Sequence, residues 1–212
     1  MANIQTTPLT FPARSQVSGN PNGVPSGFLG ELLISELLGK YATLVKAGKV
    51  FHAMATVTAP VIYSTAAGTG GPLIWNKPTS GVDAHILGIS FGGLSTASTV
   101  AGALGISGAA GQVIAPTATT AIDALGNALI GGPASALGGV YRVGTPTNPG
   151  TQFLPLIAVG TGAITAVEIE PSFVELGGLA IVPPGSWAAV AGSSTLTGGV
   201  LQIGLVWAEL PA

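Results

Sequence analysis

Cysteine is absent from this 212-residue chain, and charge is scarce. Without cysteine there is no disulfide, no thiolate nucleophile and no zinc–thiolate site. Asp, Glu, Lys and Arg make up 7% of the residues, against about 25% in an average soluble domain. Between Ile86 and Val167 the charged residues are Asp123 and Arg142 alone. Histidine occurs only at 52 and 85. Few groups are left for acid–base chemistry, and little charge is left to solvate the surface of a free monomer. The sequence therefore predicts a packed, assembled structural protein and not an enzyme, with no catalytic residue, no cofactor and no metal.

Other absences narrow the class further. The basic residues Arg14, Lys40, Lys46, Lys49, Lys77 and Arg142 are scattered and the formal net charge is −2, so no stripe is present to track phosphates and nucleic acid is not expected as a partner. The most apolar stretches, Ser98–Ala118 and Ala121–Val143, are interrupted by Gly, Pro, Thr, Ser or Asn. Neither has the uninterrupted run of about 18 apolar residues that a spanning helix needs, so no membrane is expected. The opening MANIQTTPLTFPARS has no basic stretch followed by an apolar one, and predicts no secretion signal.

What is present is material for turns and short strands: 33 Gly, 16 Pro and 47% hydrophobic residues. Residues 1–27 hold Pro8, Pro12, Pro21 and Pro25 and sparse apolar residues. They read as an extended arm, with Phe11 beside Pro12 as its anchor. Residues 28–48 form one amphipathic helix. Leu29, Leu33, Leu37 and Tyr41 lie on its apolar stripe, Ser26 is its expected N-cap and Gly48 its expected C-terminal stop. Phe11, Leu29, Leu33, Leu37 and Tyr41 are the residues expected to meet a neighbouring subunit or another partner.

From Lys49 the period becomes two. Phe51, Ala53, Ala55 and Val57 share a face in 49–58. His85, Leu87, Ile89 and Phe91 share one in 84–92, and Leu201, Ile203, Leu205 and Trp207 share one in 199–210. Shorter strands are expected at 61–64, 73–75, 112–115, 140–143, 153–159, 163–168, 178–182 and 186–191, separated by Gly and Pro turns. The stretch 94–139 is Gly-, Ala- and Thr-rich and reads as strands with long loops. Many short strands without alternating helices predict an all-β fold, an antiparallel β-sandwich or jelly roll over 49–212.

The chemical motifs are weak. Gly88-Ile89-Ser90-Phe91-Gly92 matches the G-x-S-x-G elbow, but both histidines precede Ser90 and no helix start follows, so Ser90 is expected to be a strand residue. His52, Asp83 and His85 fall short of a zinc set. Glu168, Glu170 and Glu175 match no calcium loop and read as a charged strand edge. Gly68-Thr69-Gly70-Gly71 is not followed by Lys-Ser/Thr and is no phosphate loop. Of the three tryptophans, Trp75 lies beside a turn and is the better placed to offer a ring to a ligand, while Trp207 is expected in the core.

Two segments carry a resemblance. LIWNKPTSGVDAHILGISFGG (73–93) joins a turn-bounded Trp-Asn-x-Pro to an alternating strand. LGGLAIVPPGSWAAVAGSSTLTGGVLQIGLVWAELPA (176–212) gives strand, Pro-Pro-Gly turn, strand, loop and closing strand. Together they resemble the small Gly/Ala-rich jelly-roll virion proteins of tailed bacteriophages, the decoration or cement proteins and head-fibre proteins. The resemblance covers 49–212 and implies a structural virion protein, assembled in the host cytoplasm, that stabilises a capsid as a homotrimer. Its implied partners are other copies of itself and the major capsid protein or another virion protein. It carries no catalytic residue. Two other functions are open to the same sequence: a tail or spike module binding host glycan through loops 66–81 or 144–152, and an enzyme acting on polysaccharide, which would need paired carboxylates in a cleft.

Overall fold

The computed structural model describes residues 40–57, 69–93, 98–99, 102–159, 163–164, 172–192 and 201–212. The chain divides into two compact units, Met1–Thr43 and Leu44–Ala212. The expected arm with Phe11, and residues 28–39 with Leu29, Leu33 and Leu37, lie outside the described residues. Of the expected helix, the described part is α1 (Ala42–Lys46). It ends where the sequence places its stop. Gly48 adopts φ 66°, its N–H donates to Val45 O at 2.8 Å, and Lys49 N–H donates to Leu44 O at 2.9 Å. That pair of bonds is the Schellman closure, which needs a left-handed residue that glycine adopts without strain.

Thirteen strands follow among the described residues: β1 (Val50–Val57), β2 (Thr69–Asn76), β3 (Val82–Gly93), β4 (Ser98–Thr99), β5 (Gly102–Ala110), β6 (Thr117–Ala121), β7 (Ala124–Asn127), β8 (Gly139–Thr145), β9 (Gln152–Val159), β10 (Ala163–Ile164), β11 (Ser172–Val182), β12 (Ser186–Gly192) and β13 (Leu201–Pro211). Their pairing is nested. β1 pairs with β13, β2 with β12, β3 with β11 and β5 with β9, all antiparallel. The outermost strands pair with each other, and each inner pair follows in turn. β13 then joins β3, and β12 joins β5. The result is a five-stranded sheet, β11-β3-β13-β1-β7, and a six-stranded sheet, β6-β8-β2-β12-β5-β9, with β4 and β10 as a separate pair. This nested pairing is the jelly roll. Strands β6, β7 and β8 are an insertion between β5 and β9. They widen both sheets, β7 beside β1 and β8 beside β2.

Alternation explains the core. In β13, Leu201, Ile203, Leu205 and Trp207 are buried while Gln202, Gly204 and Val206 are half-buried. Phe51, Ala53 and Val57 of β1 and Ile203, Leu205 and Trp207 of β13 meet Ile74, Leu104, Ile106, Ala188 and Val190 from the other sheet. Trp207 is 0% exposed and stacks on Phe51 with centroids 5.9 Å apart. Burying an aromatic ring of this size is among the largest single contributions a core residue makes.

Two expectations change. Leu87 does not continue the face of Ile89 and Phe91. Ile86 pairs with Trp207 and Gly88 with Val206, so Leu87 is the extra residue of a bulge, and Ala84 and Ile86 point inward with Ile89 and Phe91. His85 therefore leaves that shared face. The same bulge faces an excursion in β11, where Glu175 pairs with Gly88 and Ala180 with Ile86. Gly177 and Gly178 carry it at φ 58° and 88°. The second change is at 112–115, which forms no strand. The hydrogen bonds of Gln112 to Ile114, Thr147 and Gly185 hold it as a loop. The stretch 61–64 lies outside the described residues, as does 165–168. The other expected strands overlap β1, β2, β3, β8, β9, β10, β11, β12 and β13, with residues 58, 199 and 200 outside the described residues.

Candidate functional site

The polar side chains of the sandwich are concentrated where its loops meet. Asn76, at the end of β2, is fully buried. Its Nδ2 donates to Val82 O at 2.7 Å and to Val182 O at 2.8 Å, so one amide on the six-stranded sheet grips two strands of the other. Gln112 is equally buried. Its Nε2 donates to Ile114 O at 2.6 Å, and its Oε1 accepts Thr147 N–H at 2.9 Å. Its backbone N–H donates to Gly185 O at 2.7 Å. Its carbonyl accepts the indole N–H of Trp75 at 2.9 Å, and Asn148 O accepts that of Trp187 at 3.2 Å. The Gln112 amide is matched on both its nitrogen and its oxygen, as buried polar groups usually are, whereas Asn76 Oδ1 is buried without a hydrogen-bond partner.

Trp75 is thus placed as part of a wall. It sits opposite Trp187 in the β2–β12 ladder, half-buried, and packs on a satellite cluster of Leu73, Ala109, Trp187 and Ala189 together with Tyr141. A Cβ added at Gly138 would fall 2.4 Å from Trp75 Cε3, so the ring lies directly on that backbone.

Glu209 is a buried carboxylate, 3% exposed. Its Oε1 accepts the Ser135 hydroxyl and the Trp207 indole N–H, the latter at 3.2 Å, and its Oε2 accepts Ala136 N–H at 2.8 Å. It ties the 128–138 loop to the end of β13. The two charges of the long uncharged stretch, Asp123 and Arg142, pair with each other at 3.3 Å, and Asp123 Oδ2 also accepts Thr56 N–H at 2.6 Å. In each case the hydrogen bonds of the side chain are local to the fold.

The residues of the weak motifs are not brought together. His52 is in β1 and Ser90 in β3, with β13 between them. Two strand spacings separate them by about 10 Å. A Cβ at Gly126 would fall 2.9 Å from His52 Nε2, so that imidazole leans toward β7 and away from Ser90. Ser90 Oγ lies over Gly204, within 2.2 Å of where a Cβ there would sit. Among the described residues no three His, Asp or Glu side chains are grouped to hold a metal ion. Glu168 and Glu170 lie outside them. Tyr41, just before α1, is half-buried, with Lys40 Nζ 5.3 Å from its ring centre.

The sequence did not flag a set of exposed apolar side chains. On β11, the end strand of the five-stranded sheet, Phe173 is 58% exposed, Leu179 82% and Ile181 51%. Phe173 lies over Gly88, where a Cβ would fall 2.2 Å from its Cζ. Leu154 on β9, the end strand of the other sheet, is also exposed. Between β11 and β9 runs a groove of about 540 Å³ with no ionisable residue in its lining, which includes Ile106, Leu154, Leu179, Ile181, Ser186 and Trp187. At the opposite edge of the five-stranded sheet, Leu125 of β7 and Ile130 just after it are exposed, Ile130 at 99%. Contiguous exposed apolar surface on a folded chain marks an interaction site.

No model of a known protein family matches the chain, and no curated protein matches it. Among solved structures it is similar to one described as "KBV activated particle at acidic pH", at 12% identity and a TM-score of 0.30, over 85% of this chain and 76% of that one. That likeness is too slight to bear on fold or function, and the jelly roll rests on the strand pairing alone.

Proposed function

We propose that this chain is a structural virion protein that decorates and stabilises a phage capsid as a homo-oligomer, a trimer by the resemblance of its sheet domain. The observation that carries the reading is the division of labour among its side chains. Buried polar groups such as Gln112, Asn76 and Glu209 hold its own loops, while the sheet edges present exposed apolar residues. A surface of that kind acts through contact area. Obligate interfaces are more apolar than ordinary protein surface, and jelly rolls are a recurrent architecture of capsid proteins. A fold alone does not assign a role, so the proposal leans on the surface chemistry as much as on topology. The arm, with Phe11, and the helix stripe of Leu29, Leu33, Leu37 and Tyr41 are the proposed contacts to the capsid or to a neighbouring subunit.

The test is to purify particles carrying the chain and compare them with particles assembled with a chain lacking residues 1–27. The proposal expects the full chain on the particle at many copies, raising the temperature at which the capsid releases its contents. It expects the truncated chain to stay folded and leave the particle bare. Full decoration by the truncated chain would refute the role of the arm, and absence of the full chain from particles would refute the virion role.

The glycan-binding alternative would use Trp75. Its ring is half-buried and its N–H is bonded to Gln112 O, which leaves the indole N–H no part in binding a sugar.

A further inference from the structure

Apart from Val113 and Ile114 in the loop after β5, the exposed large apolar residues among the described ones fall on two unlike surfaces at opposite edges of the five-stranded sheet. On one side is a convex point. Leu129, Ile130, Gly131 and Gly132 make a tight turn, closed by Gly132 N–H donating to Leu129 O at 2.8 Å. Gly131 at φ 78° takes the third position, as a type II turn requires. Asn127 braces the turn: its Oδ1 accepts Leu129 N–H at 2.8 Å, and its Nδ2 donates to Gly48 O at 2.9 Å and to Pro133 O at 3.0 Å. This scaffold displays Ile130, a β-branched apolar side chain, at 99% exposure. A turn apex ordinarily carries a small or polar residue. On the other side is the concave groove between β11 and β9. In the order β11-β3-β13-β1-β7 the turn follows β7 and the groove borders β11, about 19 Å apart across the sheet at ordinary strand spacing.

We infer that the Ile130 turn of one copy seats in the β11–β9 groove of the next, a head-to-tail contact that closes copies of this chain into a ring. The inference rests on the homo-oligomer part of the proposed function and says which surfaces make it. Three features point to a second copy as the occupant. No residue from Ala124 to Gly139 is ionisable, and none of the groove lining is, so the union strips water from no charge. The two surfaces are opposite in shape, convex to concave, and lie at opposite edges of the sheet, so each can be covered by its counterpart on another copy. They occur once each per chain at opposite edges among the described residues, so a closed ring covers both on every copy, and no exposed apolar patch of this pair remains.

The absence of native cysteine makes the test clean. Ile130→Cys and Leu179→Cys are placed singly and together in the full chain, which is then oxidised mildly and run without reductant. Both positions are highly exposed, so the fold tolerates them, and far-ultraviolet circular dichroism checks that it does. The double variant is expected to give covalent oligomers up to one closed size, equal to the mass of the wild-type oligomer in solution. Each single variant is expected to stay unlinked. An Ile130→Asp chain and a Leu179→Asp chain should each be monomeric, and mixed together should form a one-to-one pair that cannot grow. A wild-type oligomer whose double variant does not cross-link, or whose Ile130→Cys single variant links to itself, overturns this interface while leaving the homo-oligomer standing. A wild-type monomer overturns both.

Discussion

The outward sides of the two sheets are built on different terms. On the six-stranded sheet, β12 is buried on both faces. Its outward residues Trp187 and Ala189 join Leu73, Ala109, Trp75 and Tyr141 in a second small core, and the loops around Gln112 and Asn148 are bonded to its two indoles. The five-stranded sheet has no such second cluster among the described residues. On it Ser90 lies over Gly204 and Phe173 over Gly88, and it ends in the exposed apolar residues of β11. Loops of the chain pack over part of the first side, although Val113 and Ile114 in one of them are exposed. Among the described residues nothing covers the apolar side chains of β11 on the other. The contrast separates residues that hold the fold from residues available for contact.

Perturbations sort along the same line. The largest effect is expected where the two sheets share a core. Trp207→Ala removes a fully buried ring stacked on Phe51 and one donor to Glu209, and should lower stability by about 3–5 kcal/mol, read by urea unfolding at fixed protein concentration. Gly105→Ala strikes the edge of the groove. The new Cβ would fall 2.1 Å from Leu154 O, a backbone atom that cannot swing aside. A loss of roughly 1–3 kcal/mol is expected, and an unchanged unfolding midpoint would show that the β5–β9 ladder is looser than drawn. Gln112→Ala tests the bonded loops. It strips acceptors and donors from Thr147 and Ile114, with an expected cost of about 1–3 kcal/mol and a red shift of tryptophan fluorescence as water reaches Trp75 and Trp187. Fluorescence that stays unshifted would mean the loops cover the indoles without that amide. Arg142→Ala breaks a half-exposed ion pair, and a change within about 0–1 kcal/mol is expected. A larger loss would give charge a role in the fold that its scarcity argues against.

Much of the sandwich was legible because its signals are local. The alternation in β1 and β13 reads directly from Phe51-x-Ala53-x-Ala55-x-Val57 and Leu201-x-Ile203-x-Leu205-x-Trp207, and Gly48 marks the end of α1. The bulge at Leu87 was not legible, because the extra residue is defined by its partners. Trp207 and Val206 skip it on one side and the Leu176–Leu179 excursion does on the other, far away in sequence. Gln112 looked like part of a strand, since Gln112-Val113-Ile114 has strand composition. Its hydrogen bonds run to residues 147, 148 and 185, which no local pattern predicts. The exposed apolar residues at the sheet edges were hidden for a related reason. Ile130 and Leu179 sit beside glycines that read as turn material, and an apolar residue in a turn is unremarkable until the structure leaves it uncovered. The signal that could have found them is an apolar side chain at the apex of Leu129-Ile130-Gly131-Gly132, where a polar one is the rule.

The central claim, that a chain this poor in charge is completed by copies of itself, is tested most directly by the mass of the full-length protein in solution, by light scattering over a range of concentration. The account predicts a single closed oligomer, three times the mass of the chain, that persists on dilution. A stable monomer would contradict it and leave the apolar edges without an explanation.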